Sequence, residues 1–270
     1  MNRVLPHLID THVHLDVEAF DADRDATLAR ARAAGVTAQV LPAIARGHWP
    51  GLARLAAAHA DLYPAYGLHP VFVATHADHD VEALDRWLDE HPAVAVGEIG
   101  LDAFVPDIAA GLAWDRQRDL FHAQLDVALN HGLPVIIHAR RALDSVLKAL
   151  RARPGVSGII HSFSGSQQQA EQALGQGFCL GFGGPVTYPR AQRLRRLVAQ
   201  LPGTALVLET DSPDQPSVSH RGERNEPAFL SEIAACIAAL RDAPVDEIAR
   251  LSSANARRIL RLPESAVASA

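Results

Sequence analysis

Leu8-Ile9-Asp10-Thr11-His12-Val13-His14-Leu15-Asp16 carries an apolar run straight into two histidines one residue apart. The residues ahead of the pair (Val4, Leu5, Leu8, Ile9) are largely apolar, as in a strand buried within a parallel sheet. On a strand, positions i and i+2 face the same way, so the two imidazoles emerge on one side as a chelate for a divalent ion. Spacing alone is weak evidence, since fourteen histidines in 270 residues give roughly 0.7 such pairs by chance. Position adds weight, because the pair closes the strand that opens the chain. The test is whether later strands bring further ligands to the same place.

Working outward, apolar and β-branched runs at 36–41, 63–68, 93–100, 134–138, 158–161, 178–182 and 205–211 read as seven more strands. Segments with helical spacing lie between them, at 23–34, 51–60, 81–90, 114–130, 142–151, 167–174 and 191–201. Two more helices, at 227–240 and 245–260, finish the chain, and Gly35 and Gly132 serve as helix stops. Eight strands alternating with helices predict an α/β fold, a parallel sheet closed into a (β/α)8 TIM barrel. A length of 270 residues suits one such barrel, typically about 250. A doubly wound open sheet is the rival architecture. It lacks its Gly-x-Gly-x-x-Gly turn after the first strand. No low-complexity linker divides the chain, so residues 1–270 are expected to form one barrel domain, frayed at Ser265 to Ala270.

The apolar fraction of 48% is ample for a core and arrives in short bursts. No run is long enough to span a membrane, and Pro6, His7 and Asp10 interrupt any signal-peptide core. Cys179 and Cys236 are too few for a disulfide framework. Together these features predict a cytoplasmic protein without a membrane partner. The net charge of -6 argues against a surface that grips polyanions indiscriminately. A nucleic-acid substrate therefore requires a local positive site, either a metal ion or clustered arginines.

Five predicted strands end in residue types that bind metals: His12 and His14 on the first, Glu98 on the fourth, His138 on the fifth, His161 on the sixth and Asp211 on the eighth. In a (β/α)8 barrel these ends share one rim, where active sites lie. Each residue alone is as well explained by a buried hydrogen bond or ion pair. Six on one rim are not, because burying the carboxylates without a cation costs several kcal/mol per ion. Mixed imidazole and carboxylate ligands suit Zn or Mn, and carboxylate-rich sets also accept Mg. Six ligands exceed the three usual for one catalytic zinc, so two divalent metal ions are expected. Glu98 is the natural bridge, with two oxygens and with Gly97 and Gly100 leaving room beside it. Such a pair can activate a water and stabilise attacking and leaving oxygens.

These segments resemble the TatD-type metal-dependent deoxyribonuclease family, within the wider amidohydrolase-like barrels. The resemblance is carried by Asp10-Thr11-His12-Val13-His14-Leu15-Asp16, Gly67-Leu68-His69-Pro70, Gly97-Glu98-Ile99-Gly100-Leu101-Asp102, Pro134-Val135-Ile136-Ile137-His138-Ala139-Arg140, His161-Ser162-Phe163-Ser164-Gly165 and Glu209-Thr210-Asp211-Ser212-Pro213. It implies a hydrolytic site for one to three divalent ions and 3′-to-5′ exonuclease activity on DNA, single-stranded or at ends. It further implies that His12, His14 and Asp211 hold one ion, that His138 and His161 hold the second, and that Glu98 is shared. Asp211 is then the best candidate for the base that takes a proton from water, with Glu98 the other catalytic carboxylate. The chain departs from the family at two places. Ala103-Phe104 stands where tyrosines commonly follow, and Asp214-Gln215 replaces the usual aromatic-aliphatic pair.

Four further residues are candidates for substrate contact. Arg221 and Arg224, after the eighth strand, can clamp a phosphate through their forks, or can tie the loop down through Glu223 or Glu226. Arg140 points to the same face as His138, and His69 ends the third strand. Trp49, Trp87 and Trp114 read as packing residues, and the arginines at 190, 193, 195 and 196 as a solvated helix face. Two rival functions stand beside a nuclease. One is hydrolysis of an aminoacyl ester or lactone by the same metals. The other is a catalytically silent metal-binding protein, against which the six intact ligand positions count.

Overall fold

The computed structural model describes residues 7–263; the expected continuation of the first strand through Val4 and Leu5, and the frayed end at Ser265 to Ala270, lie outside them. Eight parallel strands follow one another in sequence order around a single sheet. They are β1 (Leu8–Asp10), β2 (Val36–Pro42), β3 (Leu62–Tyr66), β4 (Ala95–Asp102), β5 (Val135–Arg140), β6 (Gly158–Ile160), β7 (Phe178–Phe182) and β8 (Leu206–Leu208). The helices are α1 (Arg24–Ala33), α2 (Trp49–Ala58), α3 (Asp80–Glu90), α4 (Gly111–Asn130), α5 (Leu143–Arg151), α6 (Gln167–Gly175), α7 (Gln192–Gln200), α8 (Leu230–Arg241) and α9 (Val245–Leu260).

Backbone and side-chain hydrogen bonds draw β1 against β8 and close the ring. Thr11 N–H donates to Leu208 O at 3.0 Å, and Asp211 N–H donates to His12 O at 2.9 Å. The Asp10 carboxyl, fully buried, accepts from Thr210 N at 3.0 Å and shares the Thr210 hydroxyl at 2.6 Å. Burial pushes its pKa up to about 8, against the lowering effect of the Thr210 and His12 hydrogen bonds.

The strand period of two sorts residues into two cores. Ile9, Val40, Ala65, Ala95, Ile136, Ile159 and Val207 fill the barrel, and Ala256, Ile259 and Leu260 of α9 plug its lower end. The alternate residues, Leu8, Leu41, Val96, Ile137 and Leu206 among them, pack outward against the helices. Trp49, Tyr66 and Trp87 form one aromatic cluster in that outer layer. Counting up each strand by two from the inner core gives His138 and Arg140 above Ile136, His161 above Ile159, and Glu209 and Asp211 above Val207. The rim is thereby polar because of where the core ends.

Strand limits differ from the sequence reading mainly at that rim. β1 and β8 stop at Asp10 and Leu208, because the following residues leave the ladder to turn toward the centre. Asp211 does so in the left-handed region, at φ 57°. β4 and β5 instead run on to Asp102 and Arg140, held together by the pairing of those two residues. Short 3-10 turns such as Pro70–Thr75 fill the loops above. Among the described residues, no helix is long and apolar enough to cross a membrane.

Candidate metal centre

The six residues expected to bind metal all come together, and Glu98 stands in the middle. Its two carboxylate oxygens face different partners. Oε2 lies 3.1 Å from His12 Nε2 and 3.6 Å from His14 Nε2. Oε1 lies 3.0 Å from His138 Nδ1, 3.2 Å from His69 Nε2 and 3.3 Å from His161 Nε2. Asp211 Oδ1 completes the first group, 3.5 Å from His12 Nε2 and 3.7 Å from His14 Nε2. Donors set tetrahedrally around an ion at 2.0–2.1 Å are separated by roughly 3.3–3.4 Å, so the group matches the spacing of a ligand set.

The donor chemistry fits as well. The Nε2 atoms of His12 and His14 approach to 3.2 Å, an arrangement that a shared cation between them explains. His14 Nδ1 donates to Pro42 O at 3.2 Å, which leaves its Nε2 lone pair facing inward. Burial, with His161 nearby, lowers the pKa of His12 well below its usual value and keeps that ring neutral. Burial alone would raise Glu98, yet His69, His12 and His161 hold it well below the usual carboxylate range. Burial likewise works against protonating His161, but Glu98, Asp211 and Glu209 raise it to about 10. The cluster therefore gathers buried carboxylates with only imidazoles to balance them, the environment in which divalent ions are held.

Two carboxylates absent from the sequence assignment stand behind the histidines. Asp102 Oδ2 accepts from His138 Nε2 at 2.9 Å and so turns Nδ1 toward Glu98. Its other oxygen takes the N–H groups of Phe104 and Val105 at 2.7 and 2.9 Å. Glu209, buried at the top of β8, lies 3.5 Å from His161 Nδ1 and accepts from Ser162 N at 2.5 Å. A Cβ on Gly181 would fall 2.1 Å from Glu209 Oε2, so that glycine on β7 makes the space. Gly97 and Gly100 act differently from the expectation. The room they leave is taken by β5, a Cβ on Gly100 meeting His138 O at 2.0 Å, and not by the surroundings of the Glu98 carboxylate.

His69 is buried beside Glu98. Its Nδ1 accepts from Val71 N at 3.1 Å, so the proton sits on Nε2, which donates to Glu98 Oε1. His76, given no role by the sequence, donates from Nε2 to His69 O at 2.9 Å and steadies that loop. Gln215, one of the two departures from the family pattern, donates to Asp211 Oδ2 and accepts from Ser162 Oγ at 2.9 Å. Burial raises the Asp211 pKa to about 6, with His161 and His14 opposing.

The two arginines after β8 are not delivered to the centre. Arg224 makes a bidentate pair with Asp23 at 2.7 and 2.8 Å and a further bond to Glu226 at 2.8 Å, so its fork is spent on tying the loop to α1. Arg221 is exposed and lines no part of the cavity above Glu98. The loop is held instead by buried Asn225, whose amide donates to Thr210 O and Asp214 O at 2.8 and 2.7 Å. Arg140 does line that cavity, which encloses about 930 Å³ and is walled further by Phe72, Phe163 and Gln215.

Comparison with known proteins agrees with this geometry. The family described as TatD related DNase matches residues 9–261. An uncharacterized metal-dependent hydrolase, YjjV of Escherichia coli K12, is 40% identical over 258 residues, covering 94% of this chain and 98% of that protein. The crystal structure of the E. coli K12 YjjV superposes with a TM-score of 0.91 at 38% identity, covering 96% of this chain and 100% of that one. A protein of Erwinia billingiae named 3′-5′ ssDNA/RNA exonuclease TatD is 32% identical, over 95% of this chain and 100% of its own.

Proposed function

The chain belongs to the TatD-related DNase family and is a metal-dependent hydrolase; from that premise we propose that it removes nucleotides from the 3′ ends of single-stranded DNA, with two divalent ions bound at Glu98. The observation that carries the two-ion reading is the division of the Glu98 oxygens, Oε2 toward His12 and His14, Oε1 toward His138 and His161. His12, His14 and Asp211 would hold one ion and His138 and His161 the other, with Glu98 serving both. Bound there, the ions supply an activated water and offset charge on the attacking and leaving oxygens.

The chain's own groups do the rest. Asp211 accepts the proton of the attacking water while Gln215 keeps its carboxylate from turning. Asp102 fixes the orientation of His138 from behind, and the Glu209 carboxylate stands 3.5 Å behind His161 Nδ1. His69, at the cavity edge, donates its Nε2 proton to Glu98 Oε1 and so orients that carboxylate. Arg140, on the same wall, holds the substrate in place. The Erwinia relative's printed activity supports a nucleic-acid substrate. The cut releases the 3′ sugar oxygen from phosphorus and leaves a phosphate monoester.

A bridging carboxylated lysine, the alternative device for an ester hydrolase, has no residue to form on. The chain's single lysine, Lys148, lies exposed on α5. The test is metal-supplemented turnover of 3′-labelled single-stranded DNA beside aminoacyl-ester and lactone substrates. Stepwise loss of 3′ label supports the reading, and turnover confined to an ester or lactone overturns it.

A further inference from the structure

Beside the cavity of the metal centre, whose wall includes Arg140, an exposed aromatic ring has two guanidinium groups laid on it. Phe104 is 41% exposed, unusual for a residue that could have packed inward. The Arg140 guanidinium carbon lies 3.6 Å from its ring centroid and that of Arg141 lies 4.6 Å away. Both arginines are exposed, and among the described residues no carboxylate or carbonyl accepts from either side chain. Arg24, Arg30, Arg32 and Arg224 are paired with carboxylates, and other exposed arginines such as Arg54 and Arg86 have no such partner either among the described residues; what sets Arg140 and Arg141 apart is that one ring carries both. Stacking uses the flat face of a guanidinium and leaves its in-plane N–H fork unspent. The ring therefore holds two forks in position, ready for a bidentate oxyanion.

The distance from the metal centre says which oxyanion. Arg140 follows His138 by two residues on β5, hence stands about 6.6 Å farther out at ~3.3 Å per residue. Its fork is laid on Phe104, a ring that lines no part of the cavity holding Glu98, and so is turned aside from a phosphate cut at the centre. We propose that Phe104, Arg140 and Arg141 form a subsite for a second phosphodiester of the substrate strand, next to the bond that is cut. The proposal rests on the nuclease reading above. It makes Arg140 a contact for the neighbouring phosphate, adds Arg141, which holds a left-handed backbone at φ 53°, and gives Phe104 the task of aligning both.

The dinucleotide TpT carries only the scissile phosphate, and TpTpT adds one neighbour. The metal-loaded wild type is expected to prefer TpTpT in kcat/KM. Arg141→Ala and Arg140→Ala should each reduce the TpTpT-to-TpT ratio by roughly tenfold, the worth of one charge-assisted hydrogen bond. Phe104→Ala should reduce it less, since the forks remain but lose their alignment. Binding supplies a readout apart from turnover. Labelled dT6 is titrated into an Asp211→Asn background over a range of salt. Removing both arginines should lessen the log–log slope by about 0.7, the value for one single-strand phosphate contact, and removing either alone should lessen it by part of that. An unchanged ratio and slope in Arg141→Ala, with the wild type still cutting both substrates, overturns the subsite alone. If the wild type cuts neither and the Asp211→Asn protein binds no dT6, the nuclease reading falls and the subsite falls with it.

Discussion

Asp102→Asn isolates one ion of the proposed pair. In the native protein the carboxylate accepts from His138 Nε2 and so leaves Nδ1 facing Glu98 and the place proposed for an ion. An asparagine at this position has two orientations. With Oδ1 kept toward the Phe104 and Val105 N–H groups, 2.7 and 2.9 Å away, its amide N–H points at His138 Nε2. The flipped orientation aims that N–H at two backbone donors and loses both bonds, so the first prevails. His138 must then accept on Nε2, which moves its proton to Nδ1, the atom required as ligand.

Replacing the outer partner of a metal-binding histidine typically costs 10–100-fold in affinity, here roughly 1.4–2.7 kcal/mol. The loss should fall on the ion at His138 and His161. The ion at His12, His14 and Asp211 should be weakened less, through Glu98 only. Calorimetric titration of the metal-free protein with Zn or Mn measures both, and thermal melting confirms that the variant is folded. Two unchanged affinities in a folded Asp102→Asn protein would refute the assignment of His138 as a ligand oriented by Asp102. Equal losses at both sites would show instead that the mutation acts through the whole cluster.

Four further outcomes are expected. Glu98→Gln should weaken both ions together, read as metal stoichiometry below two after gel filtration, because each of its oxygens serves a different set. Asp211→Asn should lower kcat by roughly 10²–10⁴-fold as a lost proton acceptor, in a protein that melts normally. Gln215→Leu should lower kcat by roughly tenfold in steady-state turnover, since it frees the Asp211 carboxylate. His220, stacked on Phe229, faces Glu232 at 2.8 Å and Glu223 at 3.1 Å. Burial opposes its charge but these carboxylates raise its pKa, so its stabilising effect is full below the unfolded value near 6.5 and fades as pH rises through the folded one. The Tm difference between wild type and His220→Gln should accordingly shrink from pH 5.5 to pH 9, and a difference that grows would contradict the pairing.

What could be read from the sequence follows from what is local. The period of two along a strand turns His138 and His161 inward whatever their distant neighbours are, so their convergence was legible in the one-dimensional pattern, while Asp211, three residues past the end of β8, arrives by a left-handed turn. Asp102 was not, because its task arises from the β4–β5 register, which sets Gly100 beside His138 and Asp102 beside Arg140. Glu209 was hidden for a like reason, its place depending on a glycine in another strand. For Arg224 the loop-tying alternative is the one present, with Glu226 in plain view, while its main partner, Asp23, lies 201 residues away and gave no local signal. Phe104 read only as a departure from the family pattern. Its significance needs Arg140 and Arg141 laid over it, and no spacing rule states that.

The choice of cationic side chains around Glu98 bears on how the centre must work. All but one of the 25 Lys and Arg residues are arginines, and none donates to Glu98, Asp102, Glu209 or Asp211 among the described residues. An arginine in that position would satisfy the carboxylates permanently, since it does not give up its proton in a protein. It would take the place of an ion. Imidazoles can carry the balancing charge on protons and then surrender those protons when a dication arrives. His161, raised to about 10 by Glu98, Asp211 and Glu209 against the effect of burial, is the group placed to do so. The exclusion of fixed cations from the inner rim, together with two unspent arginines only a strand's end away at Phe104, divides the labour of the barrel mouth. Under the proposed function, exchangeable charge sits where the chemistry would occur, and permanent charge sits where a strand would be held.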